Sequence, residues 1–380
     1  MGQTMKVPCV ILRGGTSKGI YLKAADLPKN NCERDDLICK IFGSPDVRQI
    51  DGLGGADPLT SKCAIIGPPS RPDADVDYTF GQVSITAKYI DYSGNCGNIS
   101  AGVGPFAIDE GLVTATEGVT RVRIHNTNTG KIIVAEVPTV AGKAAVTGEH
   151  VIAGVPGTGA KIMLDYSDTA GAVTGKLLPT GNSTDVLVVE GFGQVVASIV
   201  DAANVVIFVR AKDIGLTGIE TPKELGSRPD MLNLLEKIRG TAAVKIGMAK
   251  NLEDALQRIP AFPMLAFVSP ATDYQDFTTG QIIKAAEMDF VSRLMFMQVM
   301  HKTYAGTGTI CTGVAAKIPG TVVNELASAS NKPVIKFGHP AGIIEVEVAT
   351  EKRESNLVLT RAAMSRTARR IMDGNVYVGR

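Results

Sequence analysis

The sequence predicts a mixed α+β protein built from two similar halves. Three observations support this prediction: short strand-like runs are many, helical stretches are few, and the second half repeats motifs of the first. The chain has 380 residues, of which 44% are hydrophobic, enough to form substantial cores. Its net charge of +1 argues against a general nucleic-acid binder, which needs a basic face.

Apolar runs rich in valine and isoleucine and separated by glycine predict the strands. The strand runs are Val7–Leu12, Gln82–Tyr89, Ile132–Val137, Val186–Val189, Val205–Val209 and Ile343–Val348. Longer stretches predict the helices, at Arg34–Phe42, Asn98–Glu110, Pro222–Arg239, Ala285–Met300, Gly313–Ala327 and Ala362–Asp373.

The two halves share three motifs in the same order. The matching pairs are Ile20–Leu27 with Ile207–Ile214, Gly94–Gly102 with Thr309–Ala316, and Lys131–Val137 with Gly342–Val348. Three ordered matches indicate a duplicated domain. We therefore expect an N-terminal domain over residues 1–184 and a C-terminal domain over 185–380, whose last segment could pack back on the first. A cleft between two such halves is the natural place for an active site.

Several classes of protein are excluded by what the sequence lacks. No apolar run reaches the roughly 18 residues of a membrane span, and the N-terminus has no secretion signal, so we expect a cytoplasmic protein with reduced cysteines. The four histidines and six cysteines are not spaced as metal ligands, which predicts no metal. Gly154–Lys161 lacks the lysine and hydroxyl order of a phosphate-binding loop.

Cys96 is the most suggestive single residue, because it stands where a helix should begin. Backbone N–H groups and the helix dipole at that point favour a thiolate or a bound carboxylate. Alternatively, Cys96 is a small buried residue in a tight turn. Cys311 stands in a similar segment of the second half, where we expect an equivalent junction between loop and helix, and this repetition favours a catalytic role.

Lys62 lies between the polar pair Thr60–Ser61 and an apolar run. Burial at this point would lower the pKa of the amine and make it available as a base. An exposed lysine at a loop end is the alternative. The turn Arg13–Gly19 is a third candidate, since its N–H groups, the Ser17 hydroxyl and Lys18 could bind an anion. Its alternative is a glycine-rich hairpin turn.

The chain resembles the methylitaconate/aconitate isomerase family over essentially its whole length. The motifs that carry the resemblance are Arg13–Gly19, Thr60–Lys62, Gly94–Asn98, Tyr304–Gly308 and Arg366–Met372. The resemblance implies a diaminopimelate epimerase-like fold, with two pseudo-symmetric domains, each a mixed β-sheet wrapped around a central helix. It also implies an active site in the interdomain cleft.

The resemblance further implies a cofactor-independent isomerase in which Lys62 and Cys96 are the acid–base pair. Such an enzyme would carry out a 1,3-proton shift from 2-methylene-3-methylsuccinate to 2,3-dimethylmaleate. Cys96 and Cys311 also correspond to the paired cysteines of the epimerases, so a two-cysteine mechanism stays open. The expected substrate-binding residues are Ser17, Lys18, Thr60, Ser61, Gly97, Asn98, Gly306, Thr307, Gly308, Thr309 and Cys311.

Other functions also fit the sequence. Aconitate isomerisation and 4-oxalomesaconate tautomerisation differ from the first reaction mainly in one added carboxylate or keto group. Epimerisation of an amino acid and simple binding of a diacid are further alternatives. The expected partner is a small dicarboxylate, with neither nucleic acid nor membrane, and a homo-oligomer is left open.

Overall fold

The computed structural model describes residues 4–327, 332–353 and 356–379. These residues form two compact units. Unit 1 extends to Leu164 and also takes in the chain from Arg366 onward, whereas unit 2 runs from Asp165 to Ser365. The sequence-based boundary after residue 184 thus falls inside unit 2, and the last strand returns to unit 1 because it pairs with the first.

The elements up to the unit boundary alternate strands with two long helices. They are β1 (Thr4–Gly14), β2 (Ser17–Lys23), α1 (Asn31–Phe42), β3 (Lys62–Gly67), β4 (Val76–Val83), β5 (Ile90–Asp91), α2 (Gly97–Asp109), β6 (Gly118–Asn126), β7 (Lys131–Val140), β8 (Lys143–Ala144) and β9 (Ile162–Asp165).

The remaining elements form unit 2, apart from the final strand. They are β10 (Asp185–Val189), β11 (Gly193–Ala202), β12 (Asn204–Arg210), α3 (Pro222–Gly226), α4 (Pro229–Lys245), α5 (Leu252–Arg258), β13 (Met264–Pro270), β14 (Tyr274–Gln275), β15 (Ile282–Ile283), β16 (Phe290–Phe296), β17 (Val299–Met300), α6 (Gly306–Lys317), α7 (Val322–Leu326), β18 (Val334–His339), β19 (Gly342–Arg353), β20 (Asn356–Arg366) and β21 (Ala368–Gly379).

The sheet of unit 1 surrounds helix α2. Strands β1 and β2 form an antiparallel hairpin, β2 pairs in parallel with β3, and β3 pairs antiparallel with β4. Strand β4 pairs in parallel with β6, β6 pairs antiparallel with β7, and β21 covers the other side of β1. Helix α2 packs against β1, β2, β3 and β7, and Gly97–Ile108 are all buried.

Unit 2 repeats this strand order. Strands β11 and β12 form the hairpin, β12 pairs in parallel with β13, and β13 pairs antiparallel with β16. Strand β16 then pairs in parallel with β18, and β18 pairs antiparallel with β19, while β10 takes the place beside the hairpin. Helix α6 packs against β11, β12 and β19 and is buried from Gly306 to Ala316. The duplication expected from the motifs is therefore present in the topology.

A second core in unit 1 lies on the sheet face opposite α2. Leu37, Ile38 and Phe42 of α1 pack there with residues of the adjoining strands. Along β2, Ile20 and Leu22 belong to this core, whereas Tyr21 between them donates a hydrogen bond to Ile99 O in α2 at 2.6 Å. This alternation is the two-residue period of a strand covered by helices on both faces.

Two of the predicted helices are strands. Ala285–Met300 contains β16, in which every residue from Phe290 to Phe296 is buried. Both faces of β16 are covered and its polar residues Ser292 and Arg293 are adjacent, so no apolar–polar alternation distinguishes the strand from a buried helix. Ala362–Asp373 lies in β20 and β21, where the pairing of β20 with β19 and of β21 with β1 overrides the helix propensity of alanine, arginine and methionine.

Three other predicted bounds differ from the structure. The strand predicted at Gln82–Tyr89 ends at Val83, and Pro222–Arg239 consists of the two helices α3 and α4. The helix predicted at Gly313–Ala327 begins earlier, at Gly306, and is followed by the separate helix α7.

Candidate active site

Lys62 is the first residue of β3, and the alternation of that strand determines where its side chain points. Cys63 and Ile65 belong to the core beneath α1, so Lys62 faces the opposite side of the sheet, toward α2. Only 2% of Lys62 is exposed. The loop-end alternative for Lys62 is therefore wrong, because the lysine lies inside the protein.

The Lys62 amine has a defined set of neighbours. Its Nζ donates a hydrogen bond to Gln82 Oε1 at 2.7 Å and lies 5.3 Å from the centre of the Phe80 ring. Burial lowers the pKa of Lys62 below its ordinary value, while the charge and side-chain hydrogen bond of Cys96 and the charge of Asp57 act in the opposite direction. The structure thus brings Lys62 and Cys96 into contact.

Cys96 is the N-cap residue of α2, as the sequence predicts. Its carbonyl oxygen accepts hydrogen bonds from Ser100 N at 2.8 Å and from Ser100 Oγ at 3.0 Å, which fixes the first turn of the helix. Gly97, the next residue, is buried and leads directly into that turn. The positive end of the helix dipole favours negative charge at this point, whether on a protein group or on a bound carboxylate.

The turn between β1 and β2 lies against the start of α2. Asn98 Nδ2 donates to Thr16 Oγ1 at 3.1 Å, and Asn98 Oδ1 accepts from Arg366 Nε at 3.0 Å. A side chain on Gly15 would meet Asn98 Oδ1 at 2.2 Å, so only glycine permits this approach. The Asn98 amide thus fixes the turn, and substrate binding by Asn98 stays a prediction.

Ser17 and Lys18 are the groups of this turn with spare hydrogen-bonding capacity. The Ser17 hydroxyl is buried and has no hydrogen-bond partner in the described part of the chain. Lys18 is half-buried and, among the residues described, takes part in no salt bridge, although its backbone N–H donates to Leu59 O at 3.0 Å. A buried hydroxyl without a partner is costly unless a ligand supplies one.

Thr60 and Ser61 precede Lys62, and their hydroxyls form hydrogen bonds within the protein. Ser61 is fully buried; its hydroxyl donates to Val83 O at 2.9 Å and accepts from Gln49 Nε2 at 2.8 Å. Thr60 Oγ1 donates to Asp57 O at 3.2 Å. These contacts hold both hydroxyls in place, and substrate binding by Thr60 and Ser61 stays a prediction.

The glycine–threonine segment of unit 2 forms the first turn of α6, whose N-cap is Ala305. Gly306, Thr307, Gly308 and Thr309 are all buried in this turn, and Thr307 Oγ1 accepts from Asn204 Nδ2 at 2.9 Å. The segment therefore places a helix N-terminus in unit 2 at the same topological position as the start of α2 in unit 1.

The expectation that Cys311 lies at a helix start is wrong. It is the sixth residue of α6, fully buried, and its Sγ donates to Val200 O at 3.2 Å. Burial raises the pKa of the Cys311 thiol well above its ordinary value. Ala305 occupies the position equivalent to Cys96, so unit 2 has no thiol there. The motif match misplaced Cys311 because both helices contain similar small residues.

Two further observations concern metals and membranes. Within residues 4–327, 332–353 and 356–379, no group of three or more histidine, cysteine, aspartate or glutamate side chains is placed to hold a metal ion. Among these same residues, no helix has both the length and the apolar character needed to cross a membrane.

Gln82 is the residue of this site that sequence reasoning missed. It is buried on β4, directly opposite Lys62 on β3, and its amide oxygen is the hydrogen-bond acceptor for the lysine. Its place opposite Lys62 depends on the register of β3 with β4, which leaves no local signal in the sequence.

Full-length relatives of the chain are isomerases and a tautomerase. It is 59% identical over 379 residues to the 3-methylitaconate isomerase of Eubacterium barkeri, covering 100% of this chain and 98% of that protein. It is 40% identical over 382 residues to the 4-oxalomesaconate tautomerase of Pseudomonas putida, covering 100% and 98%. It is 39% identical over 387 residues to the 2-methyl-aconitate isomerase of Cupriavidus necator, covering 98% and 97%.

Solved structures confirm the predicted fold. The crystal structure of a methylitaconate-delta-isomerase superposes with a TM-score of 0.81 at 58% identity, covering 100% of this chain and 97% of that one. A probable proline racemase from Agrobacterium radiobacter matches with a TM-score of 0.61 at 12% identity, covering 97% and 92%, which shows the fold alone. The family model described as PrpF protein matches residues 4–379, and the chain therefore belongs to the PrpF protein family.

Proposed function

We propose that this chain is an isomerase that converts 2-methylene-3-methylsuccinate (3-methylitaconate) to 2,3-dimethylmaleate by a 1,3-proton shift. The observation that carries the proposal is the buried amine of Lys62 in contact with Cys96 at the start of α2. The 59% identity to a 3-methylitaconate isomerase over the full chain supports the choice of substrate.

The reaction needs one group that removes a proton and one that returns it. Loss of the proton on C3, which is α to a carboxylate, leaves a dienolate whose electron pair extends to the methylene carbon. Protonation of that carbon produces the new methyl group and moves the double bond. The Lys62–Cys96 pair gains the C3 proton in the first step and gives one back in the second, whichever of the two is the initial base.

The dienolate adds negative charge to a molecule that already carries two carboxylates. Groups placed beforehand at the carboxylate oxygens are therefore needed. We propose that Ser17 and Lys18, with the N–H groups at Gly97 and the start of α2, bind one end of the substrate. As a separate proposal for unit 2 taken by itself, the turn Gly306–Thr309 at the start of α6 is an anion-binding group.

The other functions are less well supported. The 2-methyl-aconitate isomerase and the 4-oxalomesaconate tautomerase share 39% and 40% identity with the chain, against 59% for the methylitaconate enzyme. A two-cysteine epimerase would need Cys311 as an acid or base. Its burial inside α6 and its hydrogen bond to Val200 O disfavour that role.

Proton NMR of the purified protein in D₂O with methylitaconate tests the proposal. Loss of the methylene signals, with growth of dimethylmaleate carrying deuterium in the new methyl group, is the expected result. Aconitate and 4-oxalomesaconate are the comparison substrates. If the protein turned over either of them faster than methylitaconate, that compound would become the proposed substrate. Exchange at C3 without movement of the double bond would favour epimerisation, and binding without exchange would indicate a diacid-binding protein.

A further inference from the structure

Gln82 meets the side chain of Lys62 from the neighbouring strand. The two residues are direct partners in the antiparallel pairing of β3 with β4, so their side chains share one face of the sheet. Gln82 is 1% exposed, and its Oε1 lies 2.7 Å from Lys62 Nζ. We propose that Gln82 is a positioning residue that holds the Lys62 amine at one point beside Cys96, an inference that rests on the proposed function.

The orientation of the Gln82 amide is fixed by its other contacts. Its Nε2 donates to two backbone carbonyl oxygens, Pro58 O at 3.2 Å and Ser61 O at 3.0 Å. Both amide hydrogens are thereby used, so the oxygen must face Lys62. Pro58 and Ser61 belong to the segment that leads into β3. The Gln82 amide therefore links this segment to β4 and holds the end of the long, flexible Lys62 side chain.

The equivalent place in unit 2 shows that the fold does not require this polar pair. Met264 opens β13 as Lys62 opens β3, and each strand pairs in parallel with the hairpin strand before it. Phe296 lies one step beyond the Leu265–Met295 pair, opposite Met264. Met264 and Phe296 are both buried, so the same topology accepts an apolar pair here. The polar pair in unit 1 therefore points to function.

Gln82 should also influence when Lys62 is charged. The groups that face Nζ are Cys96 from α2, Asp57 from the loop before β3, and the Phe80 ring from β4. The Gln82 oxygen adds an acceptor that stabilises the ammonium form. Gln82→Met removes this acceptor and should lower the pKa of Lys62, whereas Gln82→Glu places a negative charge there and should raise it.

The experiment measures the titration of Lys62 without substrate. In the full-length protein with lysine labelled by ¹³C at Cε, the Lys62 signal is assigned by its loss in Lys62→Met. The expected result is a titration shifted to lower pH in Gln82→Met and to higher pH in Gln82→Glu. In the same variants we expect kcat for methylitaconate to fall on the order of 10- to 100-fold, with a smaller change in KM.

Asn126→Leu is the matched control. Asn126 is a buried amide of unit 1 whose Nδ2 donates to Tyr78 O at 3.3 Å and to Asn128 Oδ1 at 2.9 Å. Its loss should lower the melting temperature and leave the Lys62 titration unchanged. If both Gln82 variants behave like this control, Gln82 is merely structural and the inference fails. If the Lys62 titration shifts in the Gln82 variants but Lys62→Met keeps full turnover, Gln82 does position Lys62 and the proposed function fails.

Discussion

Replacing Lys62 by methionine removes the proposed acid–base amine while nearly preserving the side-chain volume. The structure indicates that methionine fits, since Met264 is buried at the equivalent place in β13. Positioned proton transfer typically contributes about 10²- to 10⁴-fold to a rate, which is about 3–5 kcal/mol of barrier. We therefore expect kcat of Lys62→Met to fall at least about 100-fold.

The folded protein should tolerate the change, because two effects oppose each other. Gln82 Oε1 loses its donor, which costs about 1–3 kcal/mol for a buried acceptor. In return, the protein no longer has to bury an ammonium group, and this gain offsets part of that cost. The net change in the free energy of unfolding should stay within about 2 kcal/mol.

The pH dependence of stability follows from the lowered pKa of Lys62 in the folded state. In the unfolded chain a lysine titrates near its ordinary value of about 10.4. Below the folded-state pKa both states are charged, and the folded state bears the cost of burial. As the pH rises through the folded-state pKa, that cost disappears, so wild type should gain stability relative to Lys62→Met up to about pH 10.

Turnover is measured by the NMR assay with methylitaconate, and stability by urea unfolding at pH 7 and pH 9.5. Lys161→Met is the control, because Lys161 is an exposed lysine of the same unit. It should keep wild-type turnover and the wild-type pH dependence. A folded Lys62→Met protein with kcat within about threefold of wild type would refute Lys62 as an acid or base.

Four further substitutions test the remaining assignments. Cys96→Ala should lower kcat by about 100-fold or more in the NMR assay, and wild-type turnover would remove Cys96 from the mechanism. Cys311→Ala should keep turnover within about threefold and lose about 1–2 kcal/mol in urea unfolding, whereas inactivation would restore the two-cysteine mechanism. Gly102→Ala would place Cβ 2.3 Å from Tyr21 Oη and should cost about 1–3 kcal/mol in urea unfolding; an unchanged midpoint would contradict this packing. Ser17→Ala should lower kcat/KM about 10- to 100-fold by removing one hydrogen bond to a carboxylate, and unchanged kcat/KM would exclude that contact.

Much of the fold could be predicted because the chain repeats itself. The motifs at Ile20 and Ile207 lie in β2 and β12, which occupy the same topological place. Strand β16 was mistaken for a helix, because both of its faces are buried and its two polar residues, Ser292 and Arg293, are adjacent, so no apolar–polar alternation reveals its period. The position of β21 in unit 1 depends on pairing with a strand at the opposite end of the chain, which leaves no local signal.

In the site too, features set by neighbouring residues could be predicted, and features set by distant strand pairing could not. Cys96 at the start of a helix followed from neighbouring residues alone, and the structure has it there. The burial of Lys62 was suggested by the apolar run after it. Gln82 was not found, because only the register of β3 with β4 brings it to Lys62. Cys311 was misplaced because the start of a buried, small-residue helix is poorly marked in sequence.

Strand β21 makes the completion of unit 1 depend on residues that are synthesised after all of unit 2. Thr4 pairs with Gly379 at the far end of β1, and Arg366 supplies a contact to Asn98 at the start of α2. At typical synthesis rates of about 5–20 residues per second, roughly 20 to 75 seconds separate the two strands. Unit 2 can therefore complete its sheet first, although most of it follows unit 1 in sequence. A nascent chain, or one shortened before β21, would leave β1 as an unpaired edge open to association with other chains.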